Sequence, residues 1–412
     1  MLASRRSAGP LLALDAGGAW AQGQIVRLPE QDRTLAGAAP QVFAIGKAEG
    51  AAHEMFGDIA SVAFDGADNL YVLDQQAKRV MVYDRTGRFL RQIGTEGEGP
   101  GELIAPLQMT LGADGTVIIF DLGRPGYSLF RPDGTFLRNV MTDGARPDRA
   151  APMAWHPRGG IAGLFREPIE DRIRPGTSTV TENVQPLMFQ PLGGGQPARL
   201  FNVPRVSTTR QSATPDGNIQ VRTSPPPVFT PPVLFGTLPN GQMALSFTSG
   251  YTVRVLDQDG QTLRYLQRPM RARLTTDRDR DRAREQAREL YQSGRGMVRI
   301  SRGGPGGGGG PPPRAMPSVE ERLAQLEFAD TIPALQGLRV SPSGKLLVER
   351  TGANVGEPGP VDVITPEGQY LGTFTGVGLP DAISRGGLAA WIEYDEDQVG
   401  RVIVRRLPAN WR

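Results

Sequence analysis

Residues 68–94, DNLYVLDQQAKRVMVYDRTGRFLRQIG, and residues 114–140, DGTVIIFDLGRPGYSLFRPDGTFLRNV, are two versions of one pattern. Each runs from a polar turn through a β-rich strand, a short polar break, a second strand, a turn ending in glycine and a third strand that opens on an aromatic. Gly87 and Gly134 hold the same place in the two copies, 47 positions apart (134 less 87). A fixed period of about 40–50 residues marks a chain built from stacked or circularly packed units.

Further copies follow. NGQMALSFTSGYTVRVLDQDGQTLRYL (240–266) repeats the pattern almost without gaps, and 343–374 repeats it with a longer break between its first two strands. Residues 385–407 give two strands before the chain ends. A weak copy is split between 157–165 and 185–201. Gly66, Gly115, Gly159, Gly241, Gly344 and Gly386 mark six hairpins that open these units. The 53 Gly and 36 Pro, with only 39% hydrophobic residues, suit short strands joined by many tight turns. A small twisted sheet cannot bury both faces alone, whereas radial packing buries them between neighbours. The expected fold class is therefore all-β, a six-bladed β-propeller of four-stranded antiparallel blades. Blades are expected near 56–103, 104–145, 146–204, 228–270, 331–376 and 377–407, with 408–412 as a tail. The last copy lacks its outer edge, which a segment before the first copy, 41–45 (QVFAI) or 24–28 (QIVRL), is placed to complete. Closure by strands from both ends would leave no exposed edge there.

The chain resembles the six-bladed β-propeller family related to NHL-repeat proteins of bacterial cell envelopes. The carrying residues are Asp68, Asn69, Leu70, Tyr71 and Val72 after Gly66, then VYDRTGRFL at 82–90 and GEGPGE at 97–102. The resemblance spans roughly 41–407. It implies the fold and an envelope setting, and little about activity, because propellers carry many unrelated functions.

Composition excludes much. There is no cysteine, so disulfides, thiolate catalysis, Cys-ligated zinc, iron–sulfur clusters and a lipobox anchor are ruled out for the sequence as given. His53 and His156 are the only histidines, so one chain cannot build a three-histidine metal site, and neither lies by a nucleophile-elbow motif. Lys47, Lys78 and Lys345 are the only lysines among 46 basic residues, and the net charge is just +3. Residues 1–21 combine Arg5 and Arg6, a short apolar run and Ala19-Trp20-Ala21, the pattern of a signal peptide, although Asp15 interrupts the apolar run. Export to the periplasm is the expectation, with a cytoplasmic location if this leader is not a signal. No stretch reaches the ~20 apolar residues of a membrane span.

Candidate sites are few. The loop IGTEGEGPGEL places Glu96, Glu98 and Glu102 among glycines. Pro100 removes a backbone N–H, the glutamates repel anions and no Lys-Ser/Thr pair follows, which argues against a phosphate loop. Ca²⁺ is the one cofactor left open, though D-x-D-x-D-G spacing is absent. The preferred reading is a joint between blades, where glycine lets the chain turn sharply. Residues 271–330 form an insertion between blades four and five. Within it, TTDRDRDRAREQARELYQ predicts a helix with Ala283, Ala287, Leu290 and Tyr291 as a narrow apolar stripe. Asp277/Arg280, Asp279/Arg282, Asp281/Arg284 and Glu285/Arg288 are expected i, i+3 ion pairs. Arg278, Arg280, Arg282, Arg284 and Arg288, with the three loop glutamates, are the candidate partner-binding residues. A Gly/Pro linker (303–313), an extended proline-rich excursion (224–233) and a second helix capped by Ser318 and Glu321 complete the picture. Glu393, Asp395, Glu396 and Asp397 fall in a hairpin of the last blade, and Trp155 and Trp391 near inner or second strands.

The expected function is a non-enzymatic protein-interaction scaffold, as an accessory subunit of a larger envelope or membrane-bound complex, with no nucleic-acid partner. A metal-dependent hydrolase or lyase with its site in a central channel, and a small-molecule or glycan binder, are the alternatives.

Overall fold

The computed structural model describes residues 23–124, 126–142, 146–148, 152–166, 178–213, 219–223, 226–293 and 317–412. The expected leader and the Gly/Pro linker lie outside these residues. Six sheets follow one another along the chain. Blade one is Ile59–Phe64, Leu70–Asp74, Arg79–Tyr83 and Phe89–Ile93, paired antiparallel in that order from the inside out. Blade two repeats it with Pro106–Leu111, Val117–Asp121, Gly126–Phe130 and Phe136–Met141. Blade three uses Met153–His156, Gly160–Arg166 and two long strands, Ser178–Pro191 and Ala198–Ala213. Ile219–Thr223 pairs on the far end of the latter. Blade four is Leu234–Thr237, Met243–Ser246, Thr252–Leu256 and Thr262–Gln267. Blade five is Leu335–Val340, Leu346–Arg350, Val361–Ile364 and Tyr370–Phe374.

Blade six takes Ala382–Ile383, Leu388–Tyr394 and Gly400–Arg406 from the C-terminal end. Its outermost strand is Gln41–Ile45, antiparallel to Gly400–Arg406. Of the two segments placed to complete the last blade, 41–45 does so. Gln24–Arg27 instead lies parallel on Thr262–Gln267 as a fifth strand of blade four.

The second and third strands are buried on both faces, so they read as continuous apolar runs. Alternate side chains feed different neighbours. Leu70 and Val72 pack with Leu388, Ala390 and Val404 of blade six, while Tyr71 and Leu73 pack with Val117 and Ile119 of blade two. Equivalent clusters join blades two and three through Ile118 and Ile161, and three and four through Leu187 and Leu245. Blades four and five join through Val253 and Val348, and five and six through Val363 and Trp391. Six apolar interfaces between six consecutive sheets close a ring.

The turn between first and second strands needs one residue in the left-handed region. Gly115, Gly159, Gly241 and Gly344 supply it as expected, with φ from 82° to 87°. In blade one Asp68 (φ 62°) takes the place instead of Gly66, and in blade six Gly387 (φ 85°) instead of Gly386. Aspartate is among the few side chains that enter this region readily.

The N-terminal segment crosses the rim of three blades. After pairing on blade four, it runs along the outer strand of blade five. There Thr373 N donates to Arg33 O and Leu35 N to Thr373 O, each at 2.8 Å. A Cβ at Gly372 would come within 2.6 Å of Arg33 O, so this approach depends on glycine. Beneath it lies a buried charge network. Arg268 Nη1 donates to Asp362 Oδ2 at 2.8 Å with both side chains fully buried. Arg268 also donates to Pro29 O (2.8 Å) and Asp32 (2.5 Å), and Arg350 Nη2 donates to Asp32 at 2.7 Å. Thr373 Oγ1 donates to the other oxygen of Asp362 at 2.5 Å. The expected tail, 408–412, is held at the same rim. Trp411 is buried and stacks on Phe374 at 4.1 Å, because an aromatic side chain here fills the gap between blades five and six.

Removing one member of a buried ion pair strands the other charge, at about 3–5 kcal/mol. Asp362→Ala is expected to cost that much in urea unfolding, whereas Asp84→Ala, on an exposed turn, should cost far less. Equal losses would mean that Asp362 is not the anchor of the rim.

Candidate interaction face

Strand alternation sorts the loops onto two faces. Turns joining first to second and third to fourth strands fall on one face. Turns joining second to third strands, and all blade-to-blade connections, fall on the other. The first face is made of short turns, several of them closed by aspartates. Asp84 Oδ1, for example, accepts from Thr86 N (2.9 Å) and Arg88 N (3.0 Å), and Asp257 Oδ1 accepts from Asp259 N (3.0 Å) and Gln261 N (2.8 Å). The second face carries everything irregular: the insertion, the long hairpin of blade three and the glutamate loop.

In the glutamate loop, Thr95–Glu96 pairs parallel with Glu102–Leu103. Glu102 folds back to accept from Gly99 N at 2.6 Å, Arg124 Nη2 donates to Gly99 O at 2.7 Å, and Glu96 pairs with Lys78. The loop joins Phe89–Ile93 to Pro106–Leu111. Its geometry recurs in the connection from blade six to blade one, where Glu54 Oε2 accepts from Ala51 N at 3.1 Å. Below each connection a buried aspartate at the end of the second strand caps backbone donors. Asp74 accepts from Gly57 N and Asp58 N, and Asp121 from Ile104 N and Ala105 N. The recurrence was present in the sequence as IGKAEGAAHEM beside IGTEGEGPGEL, with Asp74 and Asp121 again 47 apart.

The insertion rises from Arg273–Leu274, which pairs with Thr331–Ile332. Helix α1 is Asp277–Ser293 and helix α2 is Val319–Ala324. Ser318 and Glu321 cap α2 reciprocally, at 3.2 and 2.7 Å. Three of the expected pairs form: Arg280–Asp277 (2.7 Å), Arg284–Asp281 (2.9 Å) and Arg288–Glu285 (2.7 Å). The fourth does not. Asp279 is buried and accepts two bonds from Arg273, each 2.7 Å, while exchanging bonds with Thr276 at the helix start. Its carboxyl is held well below the usual range, first by Arg273. A first-turn carboxylate is drawn to the unpaired amides there rather than along the helix. Arg282 turns instead to Glu357 of blade five (3.7 Å), and Arg288 also reaches Glu320 of α2 (3.5 Å). Arg278 is exposed, with no partner among the described residues. Glu98 lies in the glutamate loop, exposed. The arginines and the loop glutamates thus share one face but form no single cluster. Ala283 is buried under α1, yet Leu290 is 47% exposed and Leu274, just before the helix, 75%.

Two titratable groups were not singled out as perturbed in the sequence. Glu349 on the second strand of blade five lies opposite Gly337, whose missing side chain leaves it room. Its Oε1 accepts from Gly359 N (3.2 Å) and Leu379 N (3.3 Å), tying two connections of the irregular face, and burial pushes its carboxyl up. His156, on the opposite face, is buried at a strand end with Nε2 2.9 Å from Gly241 O of blade four, and burial lowers its pKa. His53 stacks on Phe89 at 4.5 Å. Asp395 closes the last hairpin, accepting from Val399 N (2.9 Å) and Arg401 (2.8 Å). Trp391 is buried between blades five and six, and Trp155 packs against the apolar cluster between blades two and three. Among the described residues no group of three or more His, Asp or Glu is placed to hold a metal ion, and no helix is long and apolar enough to cross a membrane.

A family model described as DUF5128, a 6-bladed beta-propeller, matches residues 52–124. The chain is a six-bladed β-propeller. A solved member of the duf4221 family from Bacteroides vulgatus is 10% identical and superposes with a TM-score of 0.50, covering 92% of this chain and 98% of its own. Virginiamycin B lyase from Staphylococcus aureus (11% identity, TM-score 0.39, 85% and 96% covered) matches less well. So does the calcium-binding protein regucalcin from Agrobacterium tumefaciens (10%, 0.40, 90% and 95%). No curated protein matches the chain.

Glu349 and His156 act on stability with opposite signs. A carboxyl with a raised pKa binds its proton more tightly when folded, so Glu349 takes stability away as pH rises from its ordinary 4.5 through the folded value. Glu349→Gln should therefore gain melting temperature relative to the native chain between pH 4 and 7. A histidine with a lowered pKa contributes stability that is complete above 6.5 and fades as pH falls. His156→Gln should narrow its deficit in melting temperature from pH 7.5 to 5. Parallel melting curves for native and variant chains across pH would count against these assignments.

Proposed function

We propose that this propeller is a non-enzymatic scaffold that docks a partner protein through its irregular face, as an accessory subunit of an envelope or membrane-bound complex after export. The carrying observation is the division between the faces. One is finished with short, internally bonded turns. The other gathers the helical insertion, where Leu274 before α1 and Leu290 near its C-terminal end are exposed. Large apolar side chains held in water on an insertion that the ring does not need favour a contact made elsewhere.

Four carboxylates on this face are already engaged by the fold. Asp74, Asp121, Glu102 and Asp279 are bound to backbone amides or to arginine. The α1 arginines are interleaved with acids, which favours a protein contact over the continuous positive field that nucleic acid selects.

Photo-crosslinkers at Leu274 and Leu290, compared with ones at Thr86 and Asp259 on the opposite face, test the reading in gently detergent-extracted native membranes. One discrete product from the first pair alone is expected, and Leu274→Asp with Leu290→Asp should cut its yield about tenfold, in keeping with loss of an apolar hot spot. Crosslinking from neither face, with the chain recovered alone, would overturn it.

A further inference from the structure

Beside the insertion, at the junction of blades three and four, an arginine is held by rings and by nothing else. Arg254 lies on Thr252–Leu256, two residues in from the irregular face. Its guanidinium carbon is 4.9 Å from the Phe247 ring centroid, 5.0 Å from Tyr265 and 5.4 Å from Phe201. Tyr265 stands directly across the sheet from it, Phe247 follows the second strand of blade four, and Phe201 comes from the outer strand of blade three. All four side chains are half-buried. No carboxylate or carbonyl among the described residues accepts a bond from Arg254, and its Nε is buried without a partner.

The contrast within the same chain is direct. Arg268 and Arg350 hold Asp362 and Asp32, Arg273 holds Asp279, and Arg264 reaches Pro366 O. A guanidinium carries five N–H donors, and withdrawing it from water without acceptors is costly. Ring stacking offsets part of that cost and fixes the plane of the group, but it uses none of the donors. A fixed, partly desolvated guanidinium plane with free donors is a pre-organised receptor for a planar anion that accepts two parallel bonds.

We propose that Arg254, stacked within Phe201, Phe247 and Tyr265, is a carboxylate-binding seat. The surrounding rings favour a carboxylate borne on an apolar or aromatic body, either a free organic acid or an acidic side chain presented by a peptide. The seat is distinct from the docking role above and does not depend on it.

Isothermal titration of the full chain with benzoate, with benzamide as its neutral counterpart, and with the peptide acetyl-Phe-Glu-amide separates the cases. Benzoate or the peptide is expected to bind at least tenfold more tightly than benzamide. Tighter binding of the peptide would assign the seat to a polypeptide partner, and tighter binding of benzoate to a free acid. Arg254→Lys keeps the charge but loses the planar fork, and should weaken carboxylate binding about tenfold. Arg254→Gln should abolish the preference. Phe247→Leu, which leaves the arginine and thins its support, should weaken binding in between. A native chain that treats benzoate and benzamide alike would overturn the proposal. So would carboxylate binding left intact in Arg254→Lys and Phe247→Leu.

Discussion

Everything in this molecule depends on the pairing of Gln41–Ile45 with Gly400–Arg406. Phe43 and Ile45 of this strand pack on the cluster between blades six and one, so its loss would uncover that interface as well as a strand edge. Gln41 pairs with Arg405, almost the full length of the chain away. Such a contact is made against a large loop-closure entropy. The rim segment that precedes the strand eases this. By lying on blades four and five, residues 24–35 bring the seam strand to the edge it completes. The buried Arg268–Asp362 pair fixes where that segment crosses.

The repeat was legible because its physics is local. Alternation, turn glycines and aromatic strand openings are set by neighbours within one blade, and Leu70–Asp74 and Val117–Asp121 show them without reference to the rest of the chain. What escaped was set by other blades. The buried Trp411 looked like tail because its partner Phe374 belongs to blade five. Asp279 was assigned to Arg282 by helix spacing, and Arg273, outside the helix, outcompeted it. The shift of the turn residue from Gly66 to Asp68 shows a subtler limit. Glycine marks where the left-handed conformation is easiest, yet the same turn, with Asp68 N bonded to Asp65 O as Gly115 N is to Gly112 O, can hold an aspartate there instead.

The candidate site was less legible than the fold for the same reason. Charged residues attract notice in a sequence, yet in a propeller many of them are structural. A blade-to-blade crossing leaves backbone donors unpaired in a buried place, and a carboxylate is the compact side chain that can satisfy several at once. Asp74 and Asp121 do this at equivalent positions, as Glu54 and Glu102 do in the loops above. Blade five departs from the pattern, placing Arg350 where blades one and two place aspartate, and there the rim segment supplies the missing negative charge through Asp32.

That substitution bears on how function can sit on such a ring. A blade that keeps its capping aspartate closes its own connection and leaves little free to vary. Blade five gives it up, and its Arg350 takes a carboxylate, Asp32, from the N-terminal segment instead. Beside it the insertion leaves the ring, and Arg254 stands unpaired on blade four. The irregular chemistry therefore gathers on the side of the ring where contacts with the N-terminal segment and the insertion have replaced local ones. On the blade-one side, strict repetition consumes the polar groups in the fold itself.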